Sequence, residues 1–330
     1  MFNCNESPRQ SLAPDKLAQL TDEQLYLLFS VDNFAKMDKK SRLAALQEVE
    51  NRRAKLDGRE PVLVKEGKGG DFDNPHLRGQ HVYSPMDGKE VIYVSWLFLE
   101  ENSPHHLPAG AFETVVHEGR HSYQHYIKNN HPDQVPRKVL DEWRSSDVKY
   151  FPGSREGDPE DKQLIDDLKY YIQSIEIDAR REARSEMIRA RDAMAAQGVD
   201  TRDIEAQIYH SYKLEVGIIR ALQDVFTEDM IDALEKEVLD AMRDAFPGED
   251  FGQLKLFDHA RLILQAPRIQ GFDDDAVMLV DILDLYENLK LAGIDETNFN
   301  KLNEYAHEKL QERTDAVPEK IAADRIQSSI

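Results

Sequence analysis

AFETVVHEGRHSYQHY, Ala111 to Tyr126, is the stretch on which the reading of this 330-residue chain turns. It lies inside an expected helix from Phe112 to Asn130, which His131-Pro132 ends because the residue before a proline is pushed out of helical geometry. His117 and His121 stand four apart, so on a helix their imidazoles share a face and can take two corners of one tetrahedral metal site. Glu118 is rotated about 100° from His117, beside such a metal rather than on it, where a carboxylate can accept a proton from an activated water. This H-E-x-x-H spacing, in a helix with an apolar side, points to a zinc hydrolase. His125 extends the row, but it lies about 12 Å along the axis and about 80° round from His117, too far to close on an ion held by the first two.

Before this helix the texture changes twice. From Ala13 to Gly58 apolar residues recur at helical spacing (Leu17, Leu20, Leu25, Leu28, then Leu43, Leu46, Val49), which predicts two or three helices with Gly58 as a stop. PVLVKE, Pro61 to Glu66, is short and β-branched and predicts a strand. Gln80 to Ser84 and Glu90 to Val94 flank the turn signal Pro85-Met86-Asp87-Gly88, so a hairpin completes a small three-stranded sheet. Ser95 is placed to cap a short helix running to about Glu101. Beyond the motif, the spacing predicts one long helix from Pro159 to near Gly198, with Leu164, Leu168, Ile172, Ile175, Ala179 and Ala183 on one face. After Asp203 the pattern is helical, interrupted at Pro247-Gly248, Pro267, Gly271 and Gly293.

Composition narrows the function. The net charge of -21 opposes attraction to nucleic acid or to an anionic membrane, and no apolar run approaches the length of a membrane span. The single cysteine, Cys4, excludes an intramolecular disulfide and a cysteine-based zinc cage, and it suggests a reducing compartment. Met1 to Ser11 has no basic patch followed by an apolar core, so the expected location is cytoplasmic, or secreted without a classical signal peptide. Other chemical signals are weak. Asp71-Phe72-Asp73-Asn74 lacks the rest of a calcium loop, Gly67-Lys68-Gly69-Gly70 lacks phosphate-loop spacing, and His105-His106 reads as ordinary exposed loop. Asp273-Asp274-Asp275 reads as a helix start.

The HEGRH helix with a small sheet ahead of it resembles the zincin metallopeptidases. A metzincin would have Gly at position 124 and His at position 127, where this chain has Gln124 and Ile127. A gluzincin-type arrangement takes its third ligand from a Glu on a later helix, and YYIQSIEIDARREA supplies one. Periodicity alone leaves Glu176, Glu182 and Glu186 open. The "IE-x-DA" phrase is similar to a segment that accompanies HEGRH in bacterial proteins associated with mobile elements and toxins, and this resemblance implies Glu176. LAALQEVENRRAKLDGREP, Leu43 to Pro61, looks like the helix and linker ahead of that core. The resemblance implies a Zn2+ cofactor held by His117, His121 and Glu176, with Glu118 as general base. Asp178 is a candidate for the carboxylate that orients a ligating histidine. Tyr170, Tyr171, Tyr209 and His210 are candidates for the oxyanion donor. Arg120 departs from the usual uncharged centre of the motif and is expected to pair with Glu176, Glu182 or a substrate carboxylate.

The expected fold class is α+β and predominantly helical: a zincin-like core, made of the small sheet and the HExxH helix, with an all-helical C-terminal module. The expected segments are 1–60 (N-terminal helices), 61–200 (metallopeptidase core) and 201–330 (helical module). The expected function is zinc-dependent hydrolysis of an amide bond in a protein or peptide substrate, aligned by strand addition at an exposed edge of the 90–94 strand. The acidic C-terminal module would meet a protein partner or serve solubility. Two alternatives stay open: a non-catalytic binding or regulatory protein with a structural or relic metal site, and a toxin-like hydrolase of peptidoglycan or another amide.

Overall fold

A computed structural model describes residues 12–69, 77–84, 86, 88–100, 107–154, 158–252, 254–293, 301 and 304. It is mostly helical with one small mixed sheet, which agrees with an α+β, predominantly helical class. No helix among the described residues is long and apolar enough to cross a membrane. Asp71 to Asn74 and His105-His106 lie outside the described residues.

The chain forms two compact units, each built from two separated stretches. The first takes the described residues up to Asn130 together with Asp178–Ser211. The second takes His131–Ile177 together with the described residues from Tyr212 onward. Both units thus interleave along the sequence, whereas a reading by consecutive segments cuts it at 60 and 200.

In the first unit four helices come first: α1 (Pro14–Leu17), α2 (Asp22–Leu27), α3 (Val31–Lys36) and α4 (Lys39–Asp57). Polar side chains set the starts of α2, α3 and α4. Thr21 and Gln24 form a reciprocal capping box, Ser30 accepts from the Asn33 amide, and Asp38 accepts from the Ser41 amide at 2.7 Å. Gly58 ends α4 in the left-handed region, φ 69°. The core packs Phe29 against Phe34 and Phe112, and Leu46, Ile92, Val94, Val115 and Ile127 are also buried in this unit.

The sheet has the order β1 (Leu63–Gly67), β3 (Lys89–Ser95), β2 (Gly79–Ser84). β1 runs parallel to β3 with Leu63 opposite Val91, and β2 runs antiparallel with His81 opposite Ile92. The 90–94 strand is therefore central, hydrogen-bonded on both sides, and cannot offer the free edge expected of it. The outer side of β1 is taken up from α4. Gln47 donates to the Val62 carbonyl at 2.9 Å and accepts from the Val64 amide at 2.8 Å, standing in for a strand partner.

The sheet leads into α5 (Trp96–Leu99) and then α6 (Pro108–Asn130), which carries the motif. Ser95 precedes α5 without making a capping bond, a correction to the expected cap. The long helix expected from Pro159 is two helices, α8 (Glu160–Tyr171) and α9 (Ser174–Ala196), broken at Ile172-Gln173. The Gln173 amide pairs with both backbone groups of Phe151, accepting from its N–H at 3.0 Å and donating to its carbonyl at 2.9 Å. The break puts Glu176 in the first turn of α9 instead of mid-helix.

The second unit contains α7 (Arg137–Val148), α8, most of α10 (Arg202–Val225), α11 (Glu228–Ala245), α12 (Asp258–Gln265) and α13 (Asp274–Leu291). Its main core joins Leu168, Ile172, Ile219, Leu222, Ile263, Val280 and Leu283. The run of aspartates starts α13 as expected, with Asp273 accepting from the Ala276 amide at 2.9 Å.

One buried ion pair fixes how closely α6 is approached in the first unit. Glu50, fully buried, accepts from Arg59 at 2.6 Å and from the Val62 amide at 2.9 Å, and Arg59 donates onward to the Gly119 carbonyl at 3.1 Å. A Cβ at position 119 would stand 2.7 Å from a Glu50 carboxylate oxygen, so a side chain there would force the buried Glu50–Arg59 pair to shift. Gly119→Ala is expected to cost about 1–3 kcal/mol of stability in a denaturant titration, as overpacking does; a neutral result would contradict this packing.

Candidate metal centre

Helix α6 presents His117 and His121 on one face, as the i, i+4 spacing requires. Their Nε2 atoms are 3.2 Å apart and the rings stand edge to face. Glu176, on the first turn of α9, brings a carboxylate oxygen to them, so that one ligand atom from each of the three lies within 4.8 Å of the others. Among the described residues this is the group of three or more such side chains that can hold a metal ion. The donor set fits one: two nitrogens, each about 2.0–2.1 Å from a tetrahedral ion, stand roughly 3.3 Å apart, close to the spacing observed here. Glu182 and Glu186, which periodicity left open, are engaged elsewhere. Both pair with Arg53, and Glu186 also accepts from the Tyr26 hydroxyl at 2.5 Å.

A relay sets the tautomer of His121. Its Nδ1 lies 2.9 Å from the Gln124 side-chain oxygen, and the Gln124 amide nitrogen donates to Asp178 at 2.9 Å. An amide oxygen only accepts, so Nδ1 carries the proton and Nε2 presents a lone pair to the site. Asp178 thus supports His121, though through Gln124 and not by touching a histidine.

Asp178 also accounts for Arg120. The guanidinium meets both oxygens of Asp178, at 2.7 and 3.0 Å, and lies 4.3 Å above the Tyr123 ring. The expected partners Glu176 and Glu182 are thereby corrected to Asp178, and Arg181 adds a further donor at 2.8 Å. Burial pushes the Asp178 carboxyl up, but Arg120 and Arg181 outweigh it, and its pKa lies below the usual carboxylate value.

Glu176 is almost wholly buried and needs compensation for its charge. Tyr150 donates to one oxygen at 3.2 Å and Tyr170 to the other at 2.7 Å. Tyr150 was not legible in the sequence, since no spacing rule links it to a residue 26 positions away. Tyr171 instead packs against the apolar core of the second unit. Tyr209 and His210 are exposed on α10. One turn before His117, Glu113 meets Arg78 at 3.2 Å and accepts from the Gln207 amide. Burial nevertheless holds the Glu113 pKa above the ordinary value.

Glu118 is outside the ligand group. Its carboxylate accepts from the backbone N–H of His81, on β2, at 2.7 Å. Farther along α6, His125 bonds to Glu90 at 2.8 Å and takes no part in the metal group.

Gln124→Leu is expected to weaken zinc binding roughly ten- to a hundredfold, as loss of a ligand-orienting partner generally does, measured by competition with a chromophoric chelator. Unchanged affinity would mean that His121 is oriented by another group. No protein-family model matches the chain, and neither does any curated protein or solved structure.

Proposed function

We propose that the protein is a zinc-dependent metallopeptidase that hydrolyses an amide bond in a protein or peptide. The observation that carries this reading is the convergence of His117, His121 and Glu176 with Glu118 beside them and outside the ligand set. Two imidazoles and one carboxylate are three protein ligands, the number found in catalytic zinc sites, where a fourth position serves water or substrate. The two histidines are half-buried and Glu176 is buried.

The chemistry supplied by zinc bound there is Lewis-acid polarisation of the scissile carbonyl and a lowered pKa for water. Glu118 accepts the proton as the water oxygen bonds to the carbonyl carbon. It then delivers that proton to the amine nitrogen as the C–N bond breaks. The His81 N–H fixes one Glu118 oxygen and leaves the carboxylate pinned at one end. Gln124 and Asp178 keep His121 in the binding tautomer, and Tyr150 and Tyr170 hold Glu176.

Glu118→Gln is expected to lower turnover of unfolded protein or peptide-library substrates by roughly a hundredfold or more, with zinc stoichiometry unchanged. Chelation is expected to abolish turnover and added zinc to restore it. Full activity in Glu118→Gln, or activity that survives chelation, would contradict this function.

A further inference from the structure

We propose that Glu90 is a positioning residue for the general base, acting as a clamp that holds β2 against α6 and so keeps the His81 N–H on Glu118. The proposal rests on the reading of Glu118 as the base.

The geometry runs along one seam. Glu118, Ser122 and His125 follow at intervals of four and three on α6, so they share a helix face. In the sheet, Tyr83 is opposite Glu90 and His81 is opposite Ile92, so His81 and Glu90 are diagonal neighbours on the same face. Glu90 reaches both elements. One oxygen meets His125 Nδ1 at 2.8 Å; the other meets His81 Nε2 at 2.8 Å and accepts from the Ser122 hydroxyl at 2.7 Å. The ring of Tyr83 packs 4.2 Å from that of His125. His81 therefore belongs to two bonds at once, its ring held by Glu90 and its backbone N–H holding Glu118.

The approach of β2 to α6 is close enough for this seam to fix Glu118. A Cβ at Gly79 would fall 2.3 Å from Thr114 Cγ2 and 3.3 Å from Glu118 Cγ. Any lift of β2 would withdraw the His81 N–H. Burial alone would raise the Glu90 carboxyl, yet the bonds from His125, His81 and Ser122 outweigh it and hold the group well below the usual carboxylate range. Glu90 is thus the charged centre of the clamp. The two imidazoles address different oxygens of Glu90, and among the described residues the group that can hold a metal ion is His117, His121 and Glu176 instead.

The test is amide hydrogen exchange at His81, read by NMR on the full chain, with Glu118→Ala as the reference for a released N–H. Glu90→Ala is expected to speed His81 exchange by roughly tenfold or more, the loss of a charge-assisted bond, while the amides of central strand β3 stay protected. Ser122→Ala with His125→Ala, which leaves sheet and His81 intact, is expected to do the same. Glu90→Gln, which keeps the shape and can still accept from one imidazole, is expected to restore part of the protection. His81 protection that is lost in Glu118→Ala but retained in both clamp variants would overturn the proposal, and so would protection indifferent to Glu118→Ala. Zinc content of the wild-type sample separates the two readings. Absent zinc with clamp behaviour present would sink the metallopeptidase alone; bound zinc without clamp behaviour would sink the clamp alone.

Discussion

A single buried carboxylate, Asp178, ties helix α6 to helix α9, the two helices that carry the candidate metal group. Asp178 takes both nitrogens of the Arg120 fork, a bond from Arg181 and a bond from Gln124. A charge so deeply buried is tolerated only with full compensation, and removing one partner of such a pair generally costs about 3–5 kcal/mol. Glu176 lies two residues before Asp178, in the first turn of the same helix. The same carboxylate orients His121 through Gln124, so packing and ligand chemistry share one anchor.

This assigns work to every residue of His117-Glu118-Gly119-Arg120-His121. The two histidines each offer a nitrogen to the candidate metal group, and Glu118 stands beside them on a backbone hydrogen bond from β2. Gly119 makes room for the buried Glu50–Arg59 pair, and Arg120 carries the buried bond to Asp178. The central pair of the motif is thus structural, and the charge that set it apart from an ordinary zincin pattern is an internal one. Helix α6 is held on one side by α4 and on another by α9, while a third face meets the sheet.

Much of this was legible in local pattern. The HExxH spacing, the helix around it, the β-branched strand, the hairpin and the Gly58 stop all follow from signals within a few residues, and such signals survive folding. What was not legible depends on distant partners. Gln173 breaks a helix because it finds the backbone of Phe151, and apolar periodicity continues smoothly across that break. Strand order put 89–95 at the centre of the sheet because Leu63–Gly67 pairs with it in parallel, which alternation cannot reveal. Periodicity left Glu176, Glu182 and Glu186 open, and only the resemblance singled out Glu176; the ties of Glu182 to Arg53 and of Glu186 to Arg53 and Tyr26 could not be read from spacing. Asp178 was legible as a supporting carboxylate, but its reach through Gln124 was not.

The central claim is that His117, His121 and Glu176 form one metal site. Elemental analysis of the full chain, purified without added metal and without a histidine tag, tests it most directly when Glu176→Ala is run beside the wild type. The account predicts about one zinc per chain in the wild type and loss of most of it in the variant. A wild-type chain that holds no zinc even after titration with it, or a variant that keeps its full complement, would contradict the account.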